Sequence, residues 1–326
     1  MLKHKAFCQA LLVLGALLSF ALQALAAEPG SEYPPASELS DQKPGSVLVF
    51  PFYSSAAGNM AQENTRFSIT NQNITTSIPI HLFFVNGDSG TVNDTYLCLT
   101  PVQTAVFFAS DVDPGVRGYA VAVAVGSNGA PIKFNDLRGE AAIKLATGHR
   151  ASLKAQAIAA VTLPAFSGSE ATLNFDGVAY NRMPRALALD QIKSRSDGNS
   201  TLLVLTRVTG NYAAPNGRDL IGECSGYLYD HTAFGRNFSF TGSKSQLVEL
   251  VRNDFPLLGF DTFIPAGRSG WFYVAATQDA GLFGAVLNTN SNSGTQPRAF
   301  SGGNNLRALS LSSSNSITIP VIPPSC

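Results

Sequence analysis

The sequence predicts a mainly β protein: two immunoglobulin-like β-sandwich regions joined or covered by a short helical segment. Three observations predict it. Short runs of alternating apolar and polar residues recur from residue 46 onward, as half-buried strands require. Clusters of Asn, Asp, Gly and Pro separate those runs at turn-like intervals. One alanine-rich stretch, 136–161, instead spaces its apolar residues at helical intervals.

Composition narrows the class further. The chain has 326 residues, of which 45% are hydrophobic and only 13% charged, too apolar for intrinsic disorder. Basic and acidic side chains balance at 22 each. No net field is available to meet phosphates, so no nucleic-acid partner is expected.

Residues 1–26 read as a secretory signal peptide. Lys3 and Lys5 precede an apolar run from Leu11 to Leu22, and Ala24 and Ala26 form a small-x-small cleavage site. Cleavage there removes two lysines and no acids, leaving 20 basic against 22 acidic side chains. No later stretch is apolar for the ~20 residues a membrane span needs, so no transmembrane segment is expected after cleavage. Residues 27–44, rich in Pro, Ser, Glu and Gly, read as a flexible leader.

The first sandwich is expected over 45–130. Its strands are 46–53 (SVLVFPFY), 66–70, 78–85, 104–108 and 119–125. Pro51 points to an edge or a bulge. In 119–125, Tyr119, Val121, Val123 and Val125 share one face and three alanines the other. A bulky face suits a core, and an alanine face suits close approach by a second layer.

A helical connector is expected over 131–165. Leu137, Ala141 and Leu145, then Leu153, Ala157 and Val161, recur at helical intervals, and Gly148 divides the stretch into two helices. Lys144, Arg150 and Lys154 then read as a solvated helix face. The second sandwich, 166–326, has strand-like runs at 171–175, 201–208, 226–229, 238–240, 246–250, 270–275, 282–287 and 317–321. A short helix is expected near 185–192, and 288–305 reads as a Ser/Asn/Gly-rich loop. An echo links the halves: strand, strand, an apolar-x-Pro-x-polar turn, then strand.

Export directed by the signal peptide leads to an oxidising compartment. Removing Cys8 with the signal leaves Cys98, Cys224 and Cys326 as disulfide candidates, an odd number, so one bond and one spare thiol are the simplest outcome. Three pairings are open. A link from Cys326 staples a tail or joins two molecules.

Several passages resemble a group of exported bacterial proteins with an immunoglobulin-like sandwich pattern. They are 67–71 (FSITN), 81–88 (HLFFVNGD), 96–101 (YLCLTP), 109–115 (ASDVDPG), 118–123 (GYAVAV), 171–182 (ATLNFDGVAYNR) and 263–271 (FIPAGRSGW). The resemblance covers roughly 46–290. That group carries no assigned activity, so the resemblance implies a bacterial, exported setting and transfers no site residues.

Candidate chemistry is sparse. GECSG at 222–226 has the Gly-x-nucleophile-x-Gly spacing of a hydrolase elbow around Cys224. An elbow must lead into a helix, and residues 227–231 read as a strand. Asp111 and Asp113 are calcium candidates, although Asp-x-Asp before Pro-Gly also builds a turn. Tyr227, Tyr229, Trp271, Phe272 and Tyr273 offer a sugar-stacking row, set against the ordinary core role of aromatics in strands. No cofactor motif is present.

The expected function is therefore non-catalytic. It is structural, adhesive or protein-interaction work by an exported protein in the periplasm, at the cell surface or outside the cell, with a protein or glycan partner and with self-association admitted. A carbohydrate-binding module is the alternative, and a hydrolase using Cys224 a more distant one. Donation of strand 317–321 to a neighbouring molecule is a variant of the first reading.

Overall fold

The alternating runs become strands buried on one or both faces. A computed structural model describes residues 39–163, 166, 168–214, 220–242, 246–251, 263–293 and 299–326. The signal peptide and most of the leader lie outside the described residues. The described strands are numbered along the chain and assemble into five sheets, all but one pairing antiparallel.

Sheet I holds, in order, β1 (Leu39–Ser40), β10 (Gln156–Ile158), β2 (Val47–Ser54), β7 (Arg117–Ala124), β4 (Ile78–Asn86) and β5 (Val92–Leu99). Sheet II holds β6 (Thr104–Phe108), β3 (Asn64–Asn71), β8 (Leu137–Lys144) and β9 (Arg150–Lys154). Sheet III holds β11 (Glu170–Asn174), β22 (Ser316–Pro320) and β14 (Gly210–Asn211). Sheet IV holds β17 (Leu247–Val251), β13 (Asn199–Arg207), β19 (Leu282–Asn290) and β20 (Gly302–Asn305). Sheet V holds β16 (Gly235–Gly242), β15 (Gly222–Tyr229), β18 (Ser269–Ala276), β12 (Pro184–Lys193) and β21 (Arg307–Leu311).

Three apolar clusters set how the sheets stack. On one face of sheet I, Phe50, Phe84 and the three alanines of β7 meet Phe67 and Ala141 of sheet II, with Leu202, Val204 and Leu287 of sheet IV. The alanines leave room for rings: Phe50 and Phe67 meet edge to face at 5.0 Å, the geometry their quadrupoles favour. On the opposite face, Tyr119, Val121 and Val123 meet Leu173, Ile317 and Ile319 of sheet III. Sheets IV and V enclose the third cluster, with Leu203, Leu205 and Val286 against Leu187, Leu228, Phe272 and Val274. Residues from both halves of the chain thus share cores, and Thr206 Oγ1 donates across to the Pro51 carbonyl at 2.7 Å.

Pro51 marks a bulge, since the β2–β7 register shifts between Phe50 and Tyr53. The strand is nevertheless central, with β10 on its other side. A bulge tolerates the missing donor as an edge would.

The helical reading of 131–165 is corrected. Residues 137–158 form β8, β9 and β10, and Gly148 (φ 89°) lies in the β8–β9 hairpin turn. Leu137, Ala141 and Leu145 point inward as strand residues of one parity, and Ile143 joins them. Gly139 shares that parity, and it is glycine because the Phe50 ring occupies the space a side chain would fill, 2.5 Å from where a Cβ would stand. The short helix expected near 185–192 is strand β12. The reading of 288–305 as loop is also corrected at its ends, which belong to β19 and β20; 294–298 lie outside the described residues. β5, at 92–99, has no counterpart in the sequence reading because the polar run Asn93–Asp94–Thr95 breaks any alternation.

The C-terminal strand β22 pairs with β11 and, in parallel, with β14. Beyond it, the tail is stapled by the Cys98–Cys326 disulfide. Among the described residues no helix is long and apolar enough to cross a membrane.

Candidate functional site

β15 and β18 are antiparallel neighbours in which every second residue is apolar and buried. Cys224 and Leu228 in β15, with Phe272 and Val274 in β18, face the core. The intervening residues therefore face outward, and the register places Tyr227 opposite Tyr273 and Tyr229 opposite Trp271. Phe272 is 0% exposed, whereas Trp271 is 39% and Tyr227 41% exposed. Four of the five aromatics noted in the sequence thus form one outer patch, and Phe272 belongs to the core.

The four rings stack on one another. Tyr229 and Trp271 have centroids 4.0 Å apart and planes 10° apart. Tyr227 and Tyr273 follow at 5.5 Å and 29°. Tyr227 and Tyr229, two residues apart on one strand, lie at 6.1 Å and 25°. Near-parallel planes at about the carbon–carbon contact distance, ~3.5–4.0 Å, must lie face to face. Tyr229 and Trp271 consequently spend a face on each other. On the far side of Tyr229 is Gly235, where a built Cβ would meet the Tyr229 ring at 2.6 Å. The absence of a side chain at Gly235 leaves room for that ring on the β16 side.

Polar groups frame the rings. Asn237 stands opposite Tyr227, and Ser239 opposite Ser225. Arg307 pairs with Asp190 at 3.0 Å on the other flank. Burial, then the neighbouring Tyr229 and Tyr227, raise the Tyr273 hydroxyl above the ordinary tyrosine value. It is neutral at physiological pH and offers both a donor and an acceptor.

A cleft of about 420 Å³ opens nearby between sheets IV and V. The β12–β18 register slips between Leu189 and Ile192, so Asp190 and Gln191 bulge opposite Trp271. Gln191, Thr201, Asn288, Asn304 and Phe300 line the cleft. Its floor is an amide network. Thr201 Oγ1 donates to Asn288 Oδ1 at 3.0 Å, and Asn288 Nδ2 donates to Asn199 Oδ1 at 2.9 Å. Asn290 Nδ2 donates to the same Asn199 oxygen at 3.0 Å.

The remaining candidates are dispersed. Cys224 is free and buried; burial pushes its thiol up to about 11, away from the thiolate a nucleophile needs. Residues 222–229 continue as one strand rather than turning into a helix. Asp111 accepts from the Phe108 amide at 2.9 Å within the one-turn helix α1 (Ala109–Val112). Asp113 accepts from the Tyr53 hydroxyl and from Asn93 Nδ2, the latter at 2.5 Å. Each carboxylate is thus tied to backbone or side-chain donors, as in a structural turn. Among the described residues no three His, Cys, Asp or Glu side chains gather to hold a metal ion.

Two of the three histidines after the signal are buried in separate places. His81 bonds Asp94 at 2.7 Å and the Tyr96 hydroxyl at 3.0 Å. His149 bonds the Ser200 carbonyl at 3.0 Å, and burial lowers its pKa. The amide cleft escaped the sequence reading. Its residues come from four strands and a loop, and the β13–β19–β20 register, with the short connection from β12 to β13, brings them together.

Compared with known proteins, the chain matches no family model and no curated protein.

Proposed function

We propose that this is an exported, non-catalytic adhesive protein that binds a protein partner through the outer face of sheet V. The reading rests on the face-to-face packing of Tyr229 on Trp271. A sugar platform needs flat, open ring faces. Here Tyr229 and Trp271 each have one face covered by the other, and Tyr229 is also flanked by Gly235, beside the hydroxyls of Tyr227 and Tyr273. Tyr and Trp with an apolar body and a polar tip dominate protein recognition surfaces. They give area at low entropic cost. Five strands at ~4.8 Å spacing and eight residues at ~3.3 Å make a face of roughly 20 by 25 Å, the scale of one side of a modest interface. Export is supported by the Cys98–Cys326 bond, which persists in oxidising compartments, and by the signal-like N-terminus. The buried, protonated thiol of Cys224 gives the hydrolase reading no nucleophile.

The amide-lined cleft favours a second reading, a carbohydrate ligand. Asn and Gln side chains with an exposed Phe300 ring suit hydroxyl-rich ligands.

Binding of the purified protein to isolated cell envelopes separates the two. Measured in about 1 M salt, which screens charge attraction to other envelope components, protease treatment of the envelopes should abolish binding and periodate treatment should leave it. Tyr227→Ser with Trp271→Ser should weaken it at least ~tenfold, as for interface anchors. Loss on periodate treatment together with loss in Asn304→Ala would favour carbohydrate. Unchanged binding by the aromatic double variant would sink the sheet V reading.

A further inference from the structure

A second open face carries different chemistry. Sheet IV is covered by sheet V, but among the described residues sheet II has no layer on its outer side. Its outward residues alternate with core residues along β3, β6, β8 and β9. Arg66, Arg138, Lys144, Arg150 and Lys154 lie on that outer face, with Glu140 as the single acid on these four strands. Glu140 accepts the Ser152 hydroxyl, Lys144 donates to the Ala61 carbonyl, and Lys154 donates to Gln42 at 3.2 Å. Arg66, Arg138 and Arg150 are in none of the ion pairs among the described residues. A chain with balanced charge therefore concentrates cations on one flat surface. Asp111 and Asp136, at its rim, are held by the Phe108 amide and by Asn73 Nδ2.

Apolar side chains stand exposed along the same surface. Phe108 and Val106 of β6 lie beside Arg66 and Ser68 on the outer face. At the end of the strand, Val102 is 66% exposed and Ile74 80% exposed. Their loops are joined by the Val102 amide donating to the Asn73 carbonyl at 3.0 Å. Val102 also has φ 52°, a left-handed conformation that β-branched residues rarely adopt. Neither exposure nor backbone geometry there serves the core.

We propose that the outer face of sheet II docks on an anionic lipid surface, the cations meeting lipid phosphates and Ile74, Val102, Val106 and Phe108 entering the headgroup region. Charge complementarity supplies attraction to anionic lipid. The adjoining apolar strip distinguishes a bilayer from a soluble polyanion, which offers exposed apolar groups no apolar medium. Docking of this kind does not depend on the aromatic face of sheet V.

Co-sedimentation with vesicles tests it. The protein should pellet with vesicles of phosphatidylcholine and phosphatidylglycerol in equal parts, and not with phosphatidylcholine alone. Raising salt from about 0.1 M to about 1 M, which cuts the screening length from ~10 Å to ~3 Å, should release it. Substituting Arg66, Arg138 and Arg150 together by Gln should weaken binding at least ~tenfold. Val102→Gly with Ile74→Ser should weaken it severalfold while keeping the salt dependence. Equal binding to both vesicle types, no binding to either, unaltered binding by the arginine variant, or binding to dextran sulfate without binding to vesicles would each overturn the proposal. The salt series on the unaltered protein decides the matter even if the triple variant folds poorly.

Discussion

The outer faces of sheets V and II are built by the same rule and differ in the chemistry they display. In each, one parity of residues is buried and the other is free. On sheet V the free parity carries Tyr227, Tyr229, Trp271 and Tyr273; on sheet II it carries Arg66, Arg138, Arg150 and Lys154. The pleat fixes only that these side chains point outward. Because the cores beneath are separate clusters, either face can change its chemistry without disturbing the other. The difference teaches that stability and surface function are carried by alternate residues of the same strands.

The largest expected effects break that division if it is false. Phe272→Ala and Phe67→Ala, both on inward parities, should each cost about 3–5 kcal/mol in denaturant unfolding. Trp271→Ser and Arg66→Gln, on outward parities, should cost about 1 kcal/mol or less. Comparable losses on both parities would mean that the outer residues serve the fold.

The tail staple ranks second. Cys98 and Cys326 are 228 residues apart, and closing so long a loop stabilises by about 2–5 kcal/mol. Cys326→Ser should lower the thermal midpoint yet leave envelope and vesicle binding intact. Lost binding would connect the tail to one of the faces.

A smaller effect concerns a charged clamp away from both faces. Arg117 donates to Glu63 at 2.9 Å and to Glu249 at 3.2 Å. Burial would raise the Glu63 carboxyl, but hydrogen bonds from Arg117, Ser54 and the Ala146 amide outweigh it and hold the pKa down. Glu249 is raised, because burial exceeds the attraction of Arg117. The signs therefore oppose. Ionised Glu63 stabilises the fold above the ordinary glutamate range, and that contribution disappears as pH falls through its depressed pKa. Ionised Glu249 is penalised at neutral pH, and acidification below its raised pKa removes the penalty. Glu63→Gln should thus destabilise by about 1–2 kcal/mol at pH 7 and by less in acid. Glu249→Gln should be neutral or slightly stabilising at pH 7. Chemical denaturation across pH would show the crossing.

The smallest effect is chemical. The Cys224 thiol, buried and raised, should resist iodoacetamide in the folded protein and react on unfolding. Rapid alkylation of the native state would contradict its position in the core.

Much of this architecture is legible in residue parity. β3, β4 and β7 follow from alternation, and β2, β13, β18 and β19 from short apolar runs bounded by turn residues. β8 to β10 do not, for a definite reason. A spacing of four, as in Leu137, Ala141 and Leu145, satisfies a helix face and a strand face alike. High alanine content then tips the reading toward helix. The residues that decide are Ile143 and Gly139 on the inward parity, with Arg138, Glu140 and Lys144 on the other. The aromatic patch was legible as an alternating set, but only the packing of Phe272 shows which parity is core. The basic face was not legible at all. Arg66 and Arg138 are far apart in sequence and become neighbours only through the β3–β8 register. On a helix, Lys144, Arg150 and Lys154 would be an ordinary solvated face.

If the two open faces have separate partners, a crossed binding experiment shows it most directly. The Tyr227→Ser, Trp271→Ser variant and the Arg66→Gln, Arg138→Gln, Arg150→Gln variant would each be measured against protein-bearing envelopes and against phosphatidylglycerol vesicles. The first should lose the salt-resistant part of envelope binding and keep vesicle binding. The second should lose vesicle binding and keep residual, salt-resistant binding to envelope protein. Parallel loss of both activities in either variant, with unfolding midpoints unchanged, would contradict separate partners.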